Sequence, residues 1–190
     1  LTADGWRVVA ASADLDAPAG AEPVFERAES ELGPVLVLVN NAAGADPEGS
    51  VEAALWNARR SLPGMRAAGY GRVVNVAAAL DPAPLLELAR GGATDATGER
   101  ALGAAAKAGL VGITRTLTVE AARDGVTVNA VTPGVLDSGT ATLDGELKKL
   151  VPARRAATCE EVAEVVRFLA SSDASYVTGT SVPVDGGLSA

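Results

Sequence analysis

Apolar runs closed by turn residues recur along the chain at Trp6 to Ala11, Val35 to Val39, Arg72 to Ala77, Val126 to Val131 and Ser181 to Val184. Their length and their β-branched content mark each as a strand. Between them lie segments with helical spacing of apolar positions, Ala21 to Leu32, Val51 to Ala68, Glu99 to Asp124 and Cys159 to Ser171, rich in Ala, Leu, Glu and Arg. These predict helices. Strand and helix alternate, which predicts a parallel sheet covered on both faces, an α/β doubly wound fold. The nearly unbroken runs Val35-Leu36-Val37-Leu38-Val39 and Val73-Val74-Asn75-Val76 fit central strands with no solvent face. Asp81-Pro82-Ala83-Pro84 and Gly91-Gly92-Ala93-Thr94 bracket a short helical candidate, Leu85 to Arg90, which reads as an insertion.

Composition narrows the function classes. With 190 residues, 48% of them hydrophobic, the chain builds one good core and is short for two domains, so a single domain over residues 1–190 is expected. A net charge of −8, without any Lys/Arg run to neutralise successive phosphates, argues against nucleic acid as a partner. No apolar stretch reaches the roughly 18 residues of a membrane helix, and Leu1-Thr2-Ala3-Asp4-Gly5 lacks a basic-then-apolar signal pattern, so a cytoplasmic protein is expected. The single cysteine, Cys159, cannot form an internal disulfide, and the lack of histidine removes the usual zinc and iron ligands; no metal site is expected. It also removes the commonest general base and every Ser-His or Cys-His pair. Cys159 opens a predicted helix, whose N-terminus lowers a thiol pKa, but a lone cysteine is more often an inert packing residue.

Six motifs then occur in order. Asn40-Asn41-Ala42-Ala43-Gly44 follows an apolar run and by itself is explained by a strand-ending turn. After it come Gly71-Arg72-Val73-Val74-Asn75-Val76, Ala106-Lys107-Ala108-Gly109-Leu110, Val128-Asn129-Ala130-Val131-Thr132-Pro133-Gly134, Val177-Thr178-Gly179 and Val184-Asp185-Gly186-Gly187. In this order the chain resembles a short-chain dehydrogenase/reductase over nearly its whole length. The resemblance implies a Rossmann-like doubly wound parallel sheet. It also implies an NAD(P) site, with Asn40 and Ala42 beside the adenosine, Asp14 of Ala13-Asp14-Leu15 at the adenine, and Pro133, Gly134 and Ser138 on the nicotinamide side.

The chain departs from the family where the chemistry lies. In active members a Tyr four residues before the motif's Lys protonates the substrate carbonyl as hydride arrives, while the Lys lowers that Tyr's pKa and binds the ribose. Gly103 stands at that position. The Ser that hydrogen-bonds the carbonyl falls on Ala78, and the Asn that holds a relay water falls near Ser50. Lys107 alone keeps its catalytic identity, as a vestige of the site or as a plain helix-surface lysine. The segment from Ala78 to Gly103 is about ten residues longer than usual and carries Asp81, Thr94, Asp95, Thr97 and Glu99, none of them a phenol. Tyr70 and Tyr176 fall away from the cleft and read as packing residues. Losing a general acid lowers a rate by about 10²- to 10⁴-fold, so ordinary carbonyl reduction is expected to be nearly abolished.

Nothing like the family's glycine-rich phosphate turn precedes Asn40, and Trp6 to Ala11 looks like the family's third strand, so the fold is expected to be incomplete at its N-terminal side by roughly two βα units. No tightly bound cofactor is expected, with NAD(P) the one to test. Without the family's first strand, Val35 to Val39 lacks a neighbour. Either the Trp6 strand moves beside it, another polypeptide covers it, or the sequence omits an N-terminal part. The helices at 51–68 and 99–124 match those by which family members pair, and Gly103, Ala104, Ala105, Ala108 and Gly112 permit close contact, so a homo- or hetero-oligomer is expected. The leading expectation is therefore a non-catalytic family member serving as a structural or regulatory subunit beside an active reductase. The alternative is an enzyme: an NAD(P)-dependent oxidoreductase of carbonyl-reductase type, or a cofactor-independent catalyst, with a non-standard site that uses Lys107.

Overall fold

The computed structural model describes residues 18–41, 47–77, 99–137 and 149–190. The candidate strand at Trp6 to Ala11 and the candidate helix at Leu85 to Arg90 lie outside the described residues. The elements are α1 (Pro18–Leu32), β1 (Val37–Asn40), α2 (Pro47–Ala68), β2 (Gly71–Val76), α3 (Glu99–Ala121), β3 (Val126–Pro133), α4 (Cys159–Ala170) and β4 (Ser181–Val184), with short 3-10 turns at Ala122–Asp124 and Ser172–Ala174. Each predicted segment within the described residues is present with ends shifted by a few positions.

The strands form one parallel sheet in the order β1-β2-β3-β4. Its register places Asn40 opposite Asn75 and Val76 opposite Val131, so the strands end along one common edge. Successive side chains of a strand point to opposite faces, and the two cores follow that period. Val73 and Val128 join Ala58, Leu62 and Met65 of α2 and Leu117 and Ala121 of α3 on one face. Val74 and Val131 join Val162 and Leu169 of α4 on the other. The protein is thus an α/β fold with helices on both faces of its parallel sheet. The expectation of doubly buried central strands holds for β2 but not for β1, the end strand among the described residues, where Val39 stays 42% exposed; β3 is buried as well.

Polar side chains lock the end of the sheet where the strands begin. Arg72 is buried, with its guanidinium donating to the carbonyls of Ser171 (2.9 Å), Gly71 (2.8 Å) and Gly125 (3.4 Å) and lying 4.2 Å from the centre of the Tyr70 ring. The Ser171 and Gly125 carbonyls stand after α4 and α3, where partial negative charge gathers at helix ends, so the buried cation is matched by dipoles. Val177-Thr178-Gly179 is held to β3: Thr178 Oγ1 accepts from Val128 N, Asn129 Nδ2 donates to Val177 O, and Gly179 N donates to Val128 O. α4 opens with a capping box in which Thr158 and Glu161 satisfy each other's backbone amides. Arg155 and that same amide hold the Glu161 carboxyl well down, at about 2. Tyr176 is fully exposed. Among the described residues no helix is long and apolar enough to cross a membrane, and no cluster of His, Cys, Asp and Glu could hold a metal ion.

Candidate active site

In an open parallel sheet, ligands bind beyond the carboxyl ends of the strands. At that edge, Leu110 of α3 packs with Ala54 and Val51 of α2 and with Ala77, the residue after β2. Gly109 belongs to the same contact, since a Cβ there would lie 3.5 Å from Val51 Cγ1. This small apolar cluster brings three elements together, and each carries a position singled out in the sequence. Ser50 precedes Val51 on α2, though its side chain lies outside the described residues, as does all of Ala78, which follows Ala77. Lys107 stands one helical turn before Leu110 and is half-buried. Gly103 follows one turn further toward the start of α3. Lys107 is thus placed just past the strand ends.

Pro133 ends β3 on the same edge, one strand over, since Ala77 N donates to Val131 O at 2.8 Å. Asn40 ends β1 on the other side of β2. Asp14, Ala42 and Ser138 lie outside the described residues. The Asn40 side chain is taken up within the protein. Asn57 Nδ2 donates to Asn40 Oδ1 (3.1 Å), Asn40 Nδ2 to Asn75 Oδ1 (2.9 Å), Asn75 Nδ2 to Thr114 Oγ1 (2.9 Å), and the Thr114 hydroxyl to Leu110 O (2.8 Å). This ladder ties α2, β1, β2 and α3 together and ends one turn from Lys107. Sequence reading missed Asn57 and Thr114 entirely, although an asparagine inside the apolar run of β2 was a signal that a buried polar partner must exist.

A nicotinamide cofactor is judged by what the strand ends offer. The family's adenosine and nicotinamide positions, Asn40 and Pro133-Gly134, lie along one edge on either side of β2, and Ala77 between them carries only a methyl group. Asn40 and Pro133-Gly134 are therefore the described residues that would flank a dinucleotide laid along this edge. No pyrophosphate cradle occurs among the described residues.

A doubly wound parallel sheet is a fold on which ligands, nucleotides among them, bind beyond the carboxyl ends of the strands. The family profile described as enoyl-(acyl carrier protein) reductase matches residues 2–189. The chain belongs to that family, within the short-chain dehydrogenases/reductases. It is 39% identical over 182 residues to the (2S)-[(R)-hydroxy(phenyl)methyl]succinyl-CoA dehydrogenase subunit BbsC of Thauera aromatica, covering 94% of this chain and 68% of that one. It is 31% identical to the 3-oxoacyl-[acyl-carrier-protein] reductase MabA of Mycobacterium bovis, covering 99% of this chain and 85% of that one. Among solved structures, a blue fluorescent protein from a metagenomic library in complex with NADPH superposes with a TM-score of 0.81 at 32% identity, covering 100% of this chain and 79% of that one.

These findings correct the leading expectation of a non-catalytic structural or regulatory subunit. The relatives are named as dehydrogenases and reductases, and the structural neighbour is a complex with NADPH, so the findings point to the alternative, an NAD(P)-dependent oxidoreductase. The expectation weighed three substituted positions, Ser50, Ala78 and Gly103, against the family.

Proposed function

We propose that the chain is an NAD(P)-dependent oxidoreductase of carbonyl-reductase type, acting on an acyl group carried as a thioester. The observation that carries this reading is a match to an NADPH complex along the whole chain. The thioester follows from the relatives, whose names place the acyl group on coenzyme A or on an acyl carrier protein. NAD(P)H, when bound, supplies hydride to the carbonyl carbon. The chain's own part is to place the carbonyl against Pro133-Gly134 and to deliver a proton. Of the positions matched to the family's catalytic set, Lys107 alone carries a charged group that can give up a proton. Its ammonium gives that proton to the carbonyl oxygen as negative charge develops there, and the neutral amine recovers one from solvent. Calorimetric titration with NADH and with NADPH is expected to show micromolar binding of at least one of them. Heat with neither would overturn the reading.

We also infer that the chain pairs, with itself or with a related chain, through α2 and α3. In support, Ala105, Ala108, Gly112, Thr116 and Val119 form an exposed stripe of mostly small or apolar residues along α3, and Val119 is 81% exposed. Gly112 has open space where a Cβ would stand, so another helix can approach closely there. Light scattering is expected to give at least a dimer mass that Val119→Glu reduces to the monomer. A monomeric parent chain would count against the pairing.

A further inference from the structure

The motif Val184-Asp185-Gly186-Gly187 lies far along the sequence from Pro133-Gly134, yet the fold presses the two together. Gly134 N donates to Val184 O at 2.9 Å. A Cβ on Gly134 would come within 2.6 Å of Asp185 Cα and 2.7 Å of its Cβ, so the two backbones are in direct contact. On the far side, Ala153 N donates to Gly186 O at 3.0 Å, and a Cβ on Gly186 would meet Val151 Cγ1 and Ala153 Cβ, each at 2.9 Å. The turn is therefore wedged between the chain leaving β3 and the chain approaching α4. Those two legs are themselves joined, with Asp137 N donating to Ala157 O and Ala157 N to Val135 O, both at 2.9 Å.

What keeps the wedge in shape is the carboxylate of Asp185. Its two oxygens accept from Gly187 N and Ser189 N, each at 2.9 Å. Asp185 is only 9% exposed. Burial pushes its carboxyl up, but the Ser189 hydroxyl and the amides of Gly187, Ser189 and Leu188 outweigh that and hold it below its ordinary value.

We propose that Asp185 is a positioning residue for the nicotinamide half of the cofactor: by closing the C-terminal turn it fixes the backbone of Gly134, and with it the wall against which the nicotinamide ring lies. This rests on the oxidoreductase reading above. Asp185 touches neither cofactor nor substrate, and it acts through one glycine. The adenosine half, beyond β2 at the Asn40 end, is outside its reach. A wedge that positions only one half of the dinucleotide separates from a merely structural residue by ligand, not by stability.

The test is calorimetry of the full chain with NADH, NADPH and ADP-ribose, the last lacking the nicotinamide. Asp185→Ala is expected to weaken the dinucleotide that the parent chain binds by about tenfold, the order that a lost set of hydrogen bonds gives. ADP-ribose affinity is expected to stay within a factor of about two, inside the spread of an unperturbed site. Should Asp185→Ala fold poorly, Gly134→Ala approaches the contact from its other side and is expected to show the same split. Asp185→Asn, which keeps one accepting oxygen, is expected to fall between parent and Asp185→Ala. Equal weakening of both ligands, or no weakening of either, overturns the proposal while leaving the oxidoreductase reading standing. Failure of the parent chain to bind any dinucleotide removes that reading, and this inference with it.

Discussion

Lys107→Met is expected to lower turnover of a thioester-borne ketone by about 10²- to 10⁴-fold, the usual loss when a general acid is removed. Methionine keeps the length and apolar stem of lysine and is a good helix former, so α3 and its contact through Leu110 with Ala77 should persist. Lys107→Arg refines the result. Arginine keeps the positive charge but holds its proton too tightly to give it up, so a proton-donor role predicts that arginine rescues little. If arginine restores turnover, Lys107 acts as a fixed charge instead. Unchanged turnover in Lys107→Met would remove Lys107 from the chemistry, and steady-state rates together with a thermal melt decide between these outcomes.

Gly125→Ala is expected to be among the most destabilising single changes in the sheet, by about 3 kcal/mol or more, for two separable reasons. Gly125 has φ +75°, which disfavours any Cβ. A Cβ there would also come within 2.2 Å of the Gly69 carbonyl oxygen, a backbone atom that cannot turn aside. Relieving that contact shifts the Gly125 carbonyl, which accepts from both Gly71 N and Arg72. Gly33→Ala provides the comparison: Gly33 has φ +89° and nothing within 4 Å of a Cβ, so it isolates the conformational penalty, about 1 kcal/mol. Chemical denaturation of the two variants measures the difference. Equal midpoints would mean that the chain after α3 yields freely and that the Gly69–Gly125 contact carries no strain.

Much of the fold was legible in the sequence because burial on both faces writes itself as unbroken apolar runs. Val73-Val74 and Val126 to Val131 could be read directly, as could α4 from the helical spacing of Cys159 to Ser171. β1 misled, since its apolar run has the same pattern as a central strand although it ends the described sheet. The candidate site was legible only through motifs. Those motifs placed Lys107, Ala77 and Pro133 on neighbouring elements, yet the partners that hold them are joined by distances in space. Asn57 meets Asn40 across a helix and a strand, and Asp185 meets Gly134 after the chain has traversed α4. Neither pairing has a local signature. Function was misjudged for the opposite reason: three substitutions are conspicuous in a sequence, whereas likeness to dehydrogenases and reductases is spread over the whole chain.

The ladder through Asn57, Asn40, Asn75 and Thr114 has a polarity. Every nitrogen in it gives its hydrogen forward, and the last acceptor, Leu110 O, is a backbone carbonyl that cannot reverse roles. Turning any one amide by half a revolution would set oxygen against oxygen or NH₂ against NH₂ at its neighbour. The amides therefore cannot reorient one at a time, and the direction imposed by α3 is read out two elements away, where Asn57 Oδ1 is left buried with no donor among the described residues. The row is a chain of aligned dipoles, and its open end can take up a hydrogen-bond donor without any amide turning over.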